Sequence, residues 1–207
     1  MTRSKVNLIF FFNIIIFIFC TAFCFKSVAG EIKKETDIIS IGSKEAVVKI
    51  KIFSSLTCPH CADFHMSVIP KIKKEFVESG KVQLIFVDFP LNQAAFNASK
   101  LLNCVDKEKQ MNFLDIVYKK QNEWTSASTL EEINKNLKEI VKNLGISATE
   151  FDKCLINEII SDKILNGRIE AVKKYSIEAT PTIVINEKKL EGSANFKIIK
   201  KKIEKLI

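Results

Sequence analysis

The tetrapeptide Cys58-Pro59-His60-Cys61 constrains this chain more than any other stretch, because it stands where a strand hands over to a helix. The run before it, Val47-Val48-Lys49-Ile50-Lys51-Ile52-Phe53, is rich in β-branched and aromatic residues and reads as a strand. The run after it, Ala62 to Val77, places Phe64, Val68, Ile72 and Phe76 at helical i, i+4 spacing. Cys58 therefore sits at a helix mouth, where unpaired N–H groups and the helix dipole favour a thiolate. A Cys-x-x-Cys pair in this setting can close and reopen a disulfide by exchange with other thiols. A structural disulfide and half of a zinc site are the competing readings. Zinc wants a second Cys/His pair at short spacing; His65 lies four residues after Cys61, but Cys104 and Cys154 stand far along the chain. The strand–motif–helix context favours the redox dithiol.

The first 29 residues look like an export segment. Arg3 and Lys5 form a charged start, Val6 to Phe25 is almost wholly apolar, and Ser27-Val28-Ala29 offers small residues ahead of Gly30. The apolar run exceeds the usual signal core, so an uncleaved membrane anchor is the alternative to cleavage. Phenylalanine precedes both Cys20 and Cys24, which argues against a lipid-anchor signal. The remaining 30–207 are enough for one domain with a sizeable core. Export implies an oxidising compartment, and the four cysteines left there favour pairing. Of their three connectivities, Cys58–Cys61 with Cys104–Cys154 is the one the local motif selects.

Net charge is +8, and removing Arg3, Lys5 and Lys26 with residues 1–29 leaves +5. The lysines alternate with glutamates along helices, as in Lys197 to Glu204, which describes a solvated face. The only arginines are Arg3 and Arg168, so the clustered arginine of a nucleic-acid surface is missing and no nucleic-acid partner is expected.

Asp37 to Ile41 reads as a short edge strand and 46–54 as a first central strand. Pro70 should kink or break the helix after the dithiol, and Gly80 marks its end. Val82 to Val87 is a nearly continuous apolar run, the pattern of a buried parallel strand. Helical patterns fill about 92–175. Thr129 with Glu132 and Ser147 with Glu150 read as capping boxes, and Phe151, Cys154, Leu155 and Ile159 as an inward stripe. Thr182 to Ile185 is a strand, 186–189 a turn, and Leu190-Glu191-Gly192 its returning partner, ahead of a last helix carrying Phe196, Ile199 and Ile203. The order predicts an α/β fold, a mixed sheet flanked by helices with an all-helical insertion.

A second informative site is Ala179-Thr180-Pro181-Thr182 just before a strand, where an X-Pro bond can be cis. With the upstream dithiol, with Gly42 to Val48, with Ser55-Leu56-Thr57 ahead of the dithiol and with Asp88-Phe89-Pro90-Leu91, the chain resembles a thioredoxin-fold protein of the DsbA-like family of exported thiol–disulfide oxidoreductases. The resemblance covers nearly all of 37–207. It implies that Cys58 forms the mixed disulfide with substrate, its thiolate steadied by the helix start and by His60, the residue that with Pro59 makes the dipeptide of the dithiol most specific to the family. It implies that Cys61 is the more buried resolving partner, and that Pro181 holds a cis loop on which Thr180 offers backbone hydrogen bonds to substrate. Some relatives carry a second disulfide where Cys104 and Cys154 fall; here the pair reads as a structural staple between insertion helices. His65 reads as a helix-surface or groove residue.

The implied function is disulfide formation in reduced exported polypeptides, in the bacterial periplasm, by a monomer that a quinone-coupled membrane oxidase reoxidises, with no cofactor and no metal. An isomerase or reductase on the same scaffold is the first alternative, suggested by Thr180 before Pro181. A metal carrier or chaperone using the groove without turnover is the second. One departure stands out: many relatives carry a buried acid six positions before the first cysteine, where this chain has Ile52. Lys51 should face the other side of the strand.

Overall fold

A computed structural model describes residues 39–207 of the chain. The export segment, with Asp37 and Ile38 of the expected edge strand, lies outside the described residues. Five strands form one sheet: β1 (Ile39–Ile41), β2 (Val48–Ser54), β3 (Val82–Asp88), β4 (Thr182–Ile185) and β5 (Lys188–Lys189), in the order β1-β3-β2-β4-β5. β2 and β3 run parallel, joined through α1 (Pro59–Ser67), α2 (Ile69–Ile72) and a π-helical turn at Lys73–Val77. β1, β4 and β5 are antiparallel to their neighbours. The glycine ending β1 is obligatory: Gly42 has φ +96°, and a Cβ there would lie 2.5 Å from the Val82 carbonyl oxygen.

Pro70 acts as the sequence predicts. The helix stops at Val68, and the new start puts Pro70 in its first turn, where no N–H is needed. Six helices separate β3 from β4: α3 (Gln93–Cys104), α4 (Gln110–Lys119), α5 (Gln121–Thr125), α6 (Leu130–Lys142), α7 (Ala148–Leu155) and α8 (Glu158–Tyr175). A final helix, α9 (Phe196–Glu204), follows β5. Among the described residues no helix is long and apolar enough to cross a membrane.

Strand alternation sends β2 side chains to two cores. Ile50 and Ile52 pack with Phe64, Ile72, Ile199 and Ile203 beneath α1, α2 and α9. Phe53 packs on the opposite face with Phe89, Ala171 and Val184 against α8. A third core fills the helical insertion, centred on Phe113, Trp124 and Leu137, and reaches Leu56, Cys58 and Cys61.

Three expectations need correction. Ile159 is 76% exposed, because the helix ends at Ile156 and Asn157 caps a new one, so the stripe does not carry across the break. The strand returning after β4 is Lys188–Lys189, not Leu190 to Gly192. Asn186 and Glu187 both adopt positive φ, 43° and 65°, closing a two-residue turn that starts pairing earlier. Of the two capping boxes, the reciprocal pair is recorded at Ser147 and Glu150; at Thr129 the hydroxyl accepts from the Glu132 N–H.

Candidate active site

Cys58 is the N-cap of α1, with extended φ and ψ of −84° and 118°. Its carbonyl accepts from the N–H groups of Cys61 at 3.0 Å and Ala62 at 3.2 Å. Pro59 stands in the first turn, and no side chain caps this end. With Pro59 lacking an N–H and those of Cys61 and Ala62 taken by the Cys58 carbonyl, it is chiefly the helix dipole that acts on the sulfur at the helix mouth. Across from it the Thr180–Pro181 bond is cis, and the Cys58 thiol donates to the Thr180 carbonyl oxygen at 3.3 Å. The two halves of the site thus meet from 122 residues apart.

Cys58 and Cys61 are both free thiols. Cys61 is 1% exposed and Cys58 8%, so Cys61 is the more buried of the two, as the resemblance implies, and the outer sulfur shows only a small window to solvent. Burial pushes the Cys61 thiol up to about 12; the neighbouring Cys58 adds to this, while Thr180 and Ser55 oppose it. Cys61 therefore keeps its proton at neutral pH.

Buried polar residues hold the loop that carries the dithiol. Ser55 is fully buried, and its carbonyl accepts from the Cys58 N–H at 3.1 Å. Asn92, just beyond the Asp88-Phe89-Pro90-Leu91 segment, donates to the Thr57 hydroxyl at 3.1 Å. Gln121, on the insertion, donates one amide group to the carbonyls of Leu56 at 2.8 Å and Cys58 at 3.1 Å. Gln121→Met preserves volume but leaves both carbonyls without that donor. The expected loss is about 1–3 kcal/mol, read as a lower urea midpoint at unchanged m-value.

His60 is exposed at the turn, with no hydrogen bond to the Cys58 sulfur among the described residues. His65 is not a surface residue: it is 5% exposed, stacks on Tyr118 at 4.8 Å between ring centroids, and pairs through Nε2 with Asp115 Oδ1 at 2.6 Å. Ile52 is buried in the sheet between Phe86 and Ile183, so no acid occupies that position. Lys51 faces the other way, toward Tyr175 and Glu187. Cys104 at the end of α3 and Cys154 on α7 are joined in a disulfide, with Cα atoms 6.3 Å apart. Among the described residues no group of three or more His, Cys, Asp or Glu is placed to hold a metal ion.

The profile of the Thioredoxin family matches residues 33–205. The fold is similar to the crystal structure of alpha-DsbA1 from Wolbachia pipientis, with a TM-score of 0.75 and 30% identity, covering 83% of this chain and 91% of that one. It is also similar to oxidised BdbD from Bacillus subtilis, with a TM-score of 0.72 and 25% identity over 82% of this chain and 92% of that one. Disulfide bond formation protein D of Bacillus subtilis is 28% identical over 173 residues, 80% of this chain and 75% of that protein. A Rickettsia bellii protein provisionally named a protein-disulfide oxidoreductase is 27% identical over 153 residues, 73% of this chain but 58% of its own length. The chain thus spans less than two thirds of that relative. The helical insertion, the dithiol at the mouth of α1 and the matched residues together place the chain in the thioredoxin family, among its DsbA-like members.

Proposed function

We propose that this chain is a thiol–disulfide oxidoreductase that forms disulfide bonds in reduced polypeptides through Cys58 and Cys61. The observation that carries the reading is the asymmetry of the pair. Cys58 lies at a helix start against the Thr180 carbonyl, while Cys61 is sealed inside with its proton held.

In the oxidised form a substrate thiolate attacks the Cys58 sulfur. The Cys58–Cys61 bond breaks, its electron pair passes to Cys61, and Cys61 takes up a proton. A second substrate thiolate then attacks the substrate sulfur of the mixed disulfide. Cys58 leaves as a thiolate, steadied by the helix start, which makes it a good leaving group. Pro59 pre-sets the first turn, and His60 at the rim is a further cation toward the thiolate when protonated. Thr180 and Pro181 present backbone beside the sulfur for an extended substrate strand. The Cys104–Cys154 disulfide staples the insertion and takes no part in the exchange.

The apolar start of the chain supports export, with residues 1–29 as signal or anchor and the periplasm as compartment. A membrane quinone-coupled oxidase is the proposed reoxidant, and a monomer the working form. The relatives named for disulfide bond formation support the direction of the reaction.

The test equilibrates the purified chain with glutathione buffers and reads Cys58–Cys61 by mass after alkylation. A potential near or above about −180 mV is expected of a disulfide donor, and one near about −270 mV overturns the oxidase reading in favour of reductive work.

A further inference from the structure

Cys61 must gain a proton each time its disulfide opens and lose one each time it closes. It is sealed from solvent, and the neighbouring sheet positions Ile52 and Phe86 are apolar. The route therefore has to pass through whatever polar groups share its surroundings. A cavity of about 20 Å³ lies against it. Its lining brings together Cys61, Ser54, His65, Asp88 and Tyr118. A volume of about 15 Å³ is enough for one water, which needs two to four polar partners. This cavity offers both.

Among the described residues of the lining, one carries a carboxyl. Asp88 ends β3, where Oδ1 accepts from the Ser99 hydroxyl at 2.9 Å and Oδ2 from the Asn103 amide at 3.0 Å. These two bonds from α3 fix the carboxyl, and each oxygen keeps a lone pair for another donor. The other groups suit the role less. Tyr118 is held well above its ordinary value by burial and by the charges of Cys61 and Asp88, so its hydroxyl can donate but does not give up its proton. His65 is engaged by Asp115.

We propose that Asp88 is the proton donor and acceptor for Cys61, acting through a single water in the cavity they both line. The inference rests on the exchange chemistry proposed above. When a thiolate attacks Cys58, the Cys58–Cys61 bond breaks with its electron pair on Cys61. A proton then passes from Asp88 to the water and from the water to the Cys61 sulfur, leaving a carboxylate and a thiol. When the dithiol is reoxidised, Cys61 attacks the Cys58 sulfur of the mixed disulfide. Its proton returns through the water to Asp88, and the electron pair leaves on the reoxidant's sulfur. Burial raises the Asp88 carboxyl above its ordinary value, against the pull of Ser99, Asn103 and the Lys163 charge. Burial pushes the Cys61 thiol up as well, to about 12, so the thiolate left there by the opening disulfide draws a proton from its polar neighbours. The groups acting on Asp88 are Ser99 and Asn103 from α3, Lys163 from α8 and Tyr118 from α4, and Cys61 and His65 from α1 share its cavity.

Asp88→Asn tests this, with the oxidised full chain reduced by dithiothreitol across a pH series. Expected is a fall of at least about tenfold in the rate of disulfide opening and the loss of one inflection from its pH profile. Iodoacetamide should label Cys58 in the reduced variant at the wild-type rate. An unchanged rate and profile overturn the proposal. If the variant does not fold, the wild-type chain with 13C-labelled aspartate is titrated in disulfide and dithiol forms. The Asp88 carboxyl midpoint should then differ between the two forms, and an identical midpoint overturns the proposal. Neither assay depends on the potential, so a reducing potential that sinks the oxidase reading leaves this proton route standing.

Discussion

Cys61→Ser leaves the chain trapped in mixed disulfides through Cys58, and Cys58→Ser forms none. The expectation follows from geometry. An incoming sulfur reaches Cys58 at the mouth of α1, beside the Thr180 carbonyl, whereas Cys61 is closed off beneath it. Once the mixed disulfide forms, the Cys61 sulfur one turn away resolves it as an intramolecular nucleophile. Held groups of this kind act at effective concentrations of about 10⁵ M or more in favourable cases. Millimolar external thiol is a poor substitute, and resolution in Cys61→Ser should slow by at least about a hundredfold. Intact-mass measurement after exposure to oxidised glutathione reads the adduct directly. An adduct accumulating on Cys61 in the Cys58→Ser chain would reverse the assigned roles.

The largest stability effect belongs to the second disulfide. Cys104 and Cys154 close a loop of 50 residues that carries α4, α5 and α6 as well as the joined ends of α3 and α7. The chain-entropy relation assigns a loop of that length roughly 4 kcal/mol. Replacing both cysteines by alanine should therefore lower the melting temperature by about 8–16 °C, at about 2–4 °C per kcal/mol for a chain of this size. Labelling of Cys58 should be unaffected, since neither partner lies in the dithiol loop. A loss below about 1 kcal/mol would remove the staple reading.

The parts of this molecule that the sequence makes legible are those whose signal is local. The β-branched run before Cys58 becomes the central strand, Pro70 breaks the helix behind it, and Ser147 with Glu150 closes a capping box. Where a pattern crosses a boundary the reading fails. Ile159 continues the stripe of Phe151 and Leu155 on paper, yet a break between two helices turns it outward. Lys188 and Lys189 carry no hydrophobic mark of a strand, and a tight turn with two positive φ values recruits them. Gln121, His65 and Asp88 were invisible as site residues for a different reason. Each is a polar side chain whose significance lies in partners 50, 63 and 65 residues away for His65 and Gln121, or in a shared cavity for Asp88. A buried polar group of this kind is specified by tertiary contact and not by its neighbours in sequence. Asp88 stands inside the Asp88-Phe89-Pro90-Leu91 segment that carries the resemblance, but nothing in the segment marks the carboxyl as lining a cavity with Cys61.

The distance along the chain between Cys58 and Thr180 has a consequence for synthesis. A ribosome delivers the dithiol early, with α1 and β2, and delivers β4 only after the whole helical insertion has been made. Until then the nascent chain carries two reactive sulfurs with no backbone opposite them. Cys104 likewise waits fifty residues for its mate. The catalyst is thus itself a client during its own birth: beyond residues 1–29 its four cysteines emerge in the order 58, 61, 104, 154, and the last two, consecutive in that order, close the Cys104–Cys154 bond. A truncated chain ending before β4 would keep the dithiol and lose the platform, so the order of emergence ties a complete site to a complete polypeptide.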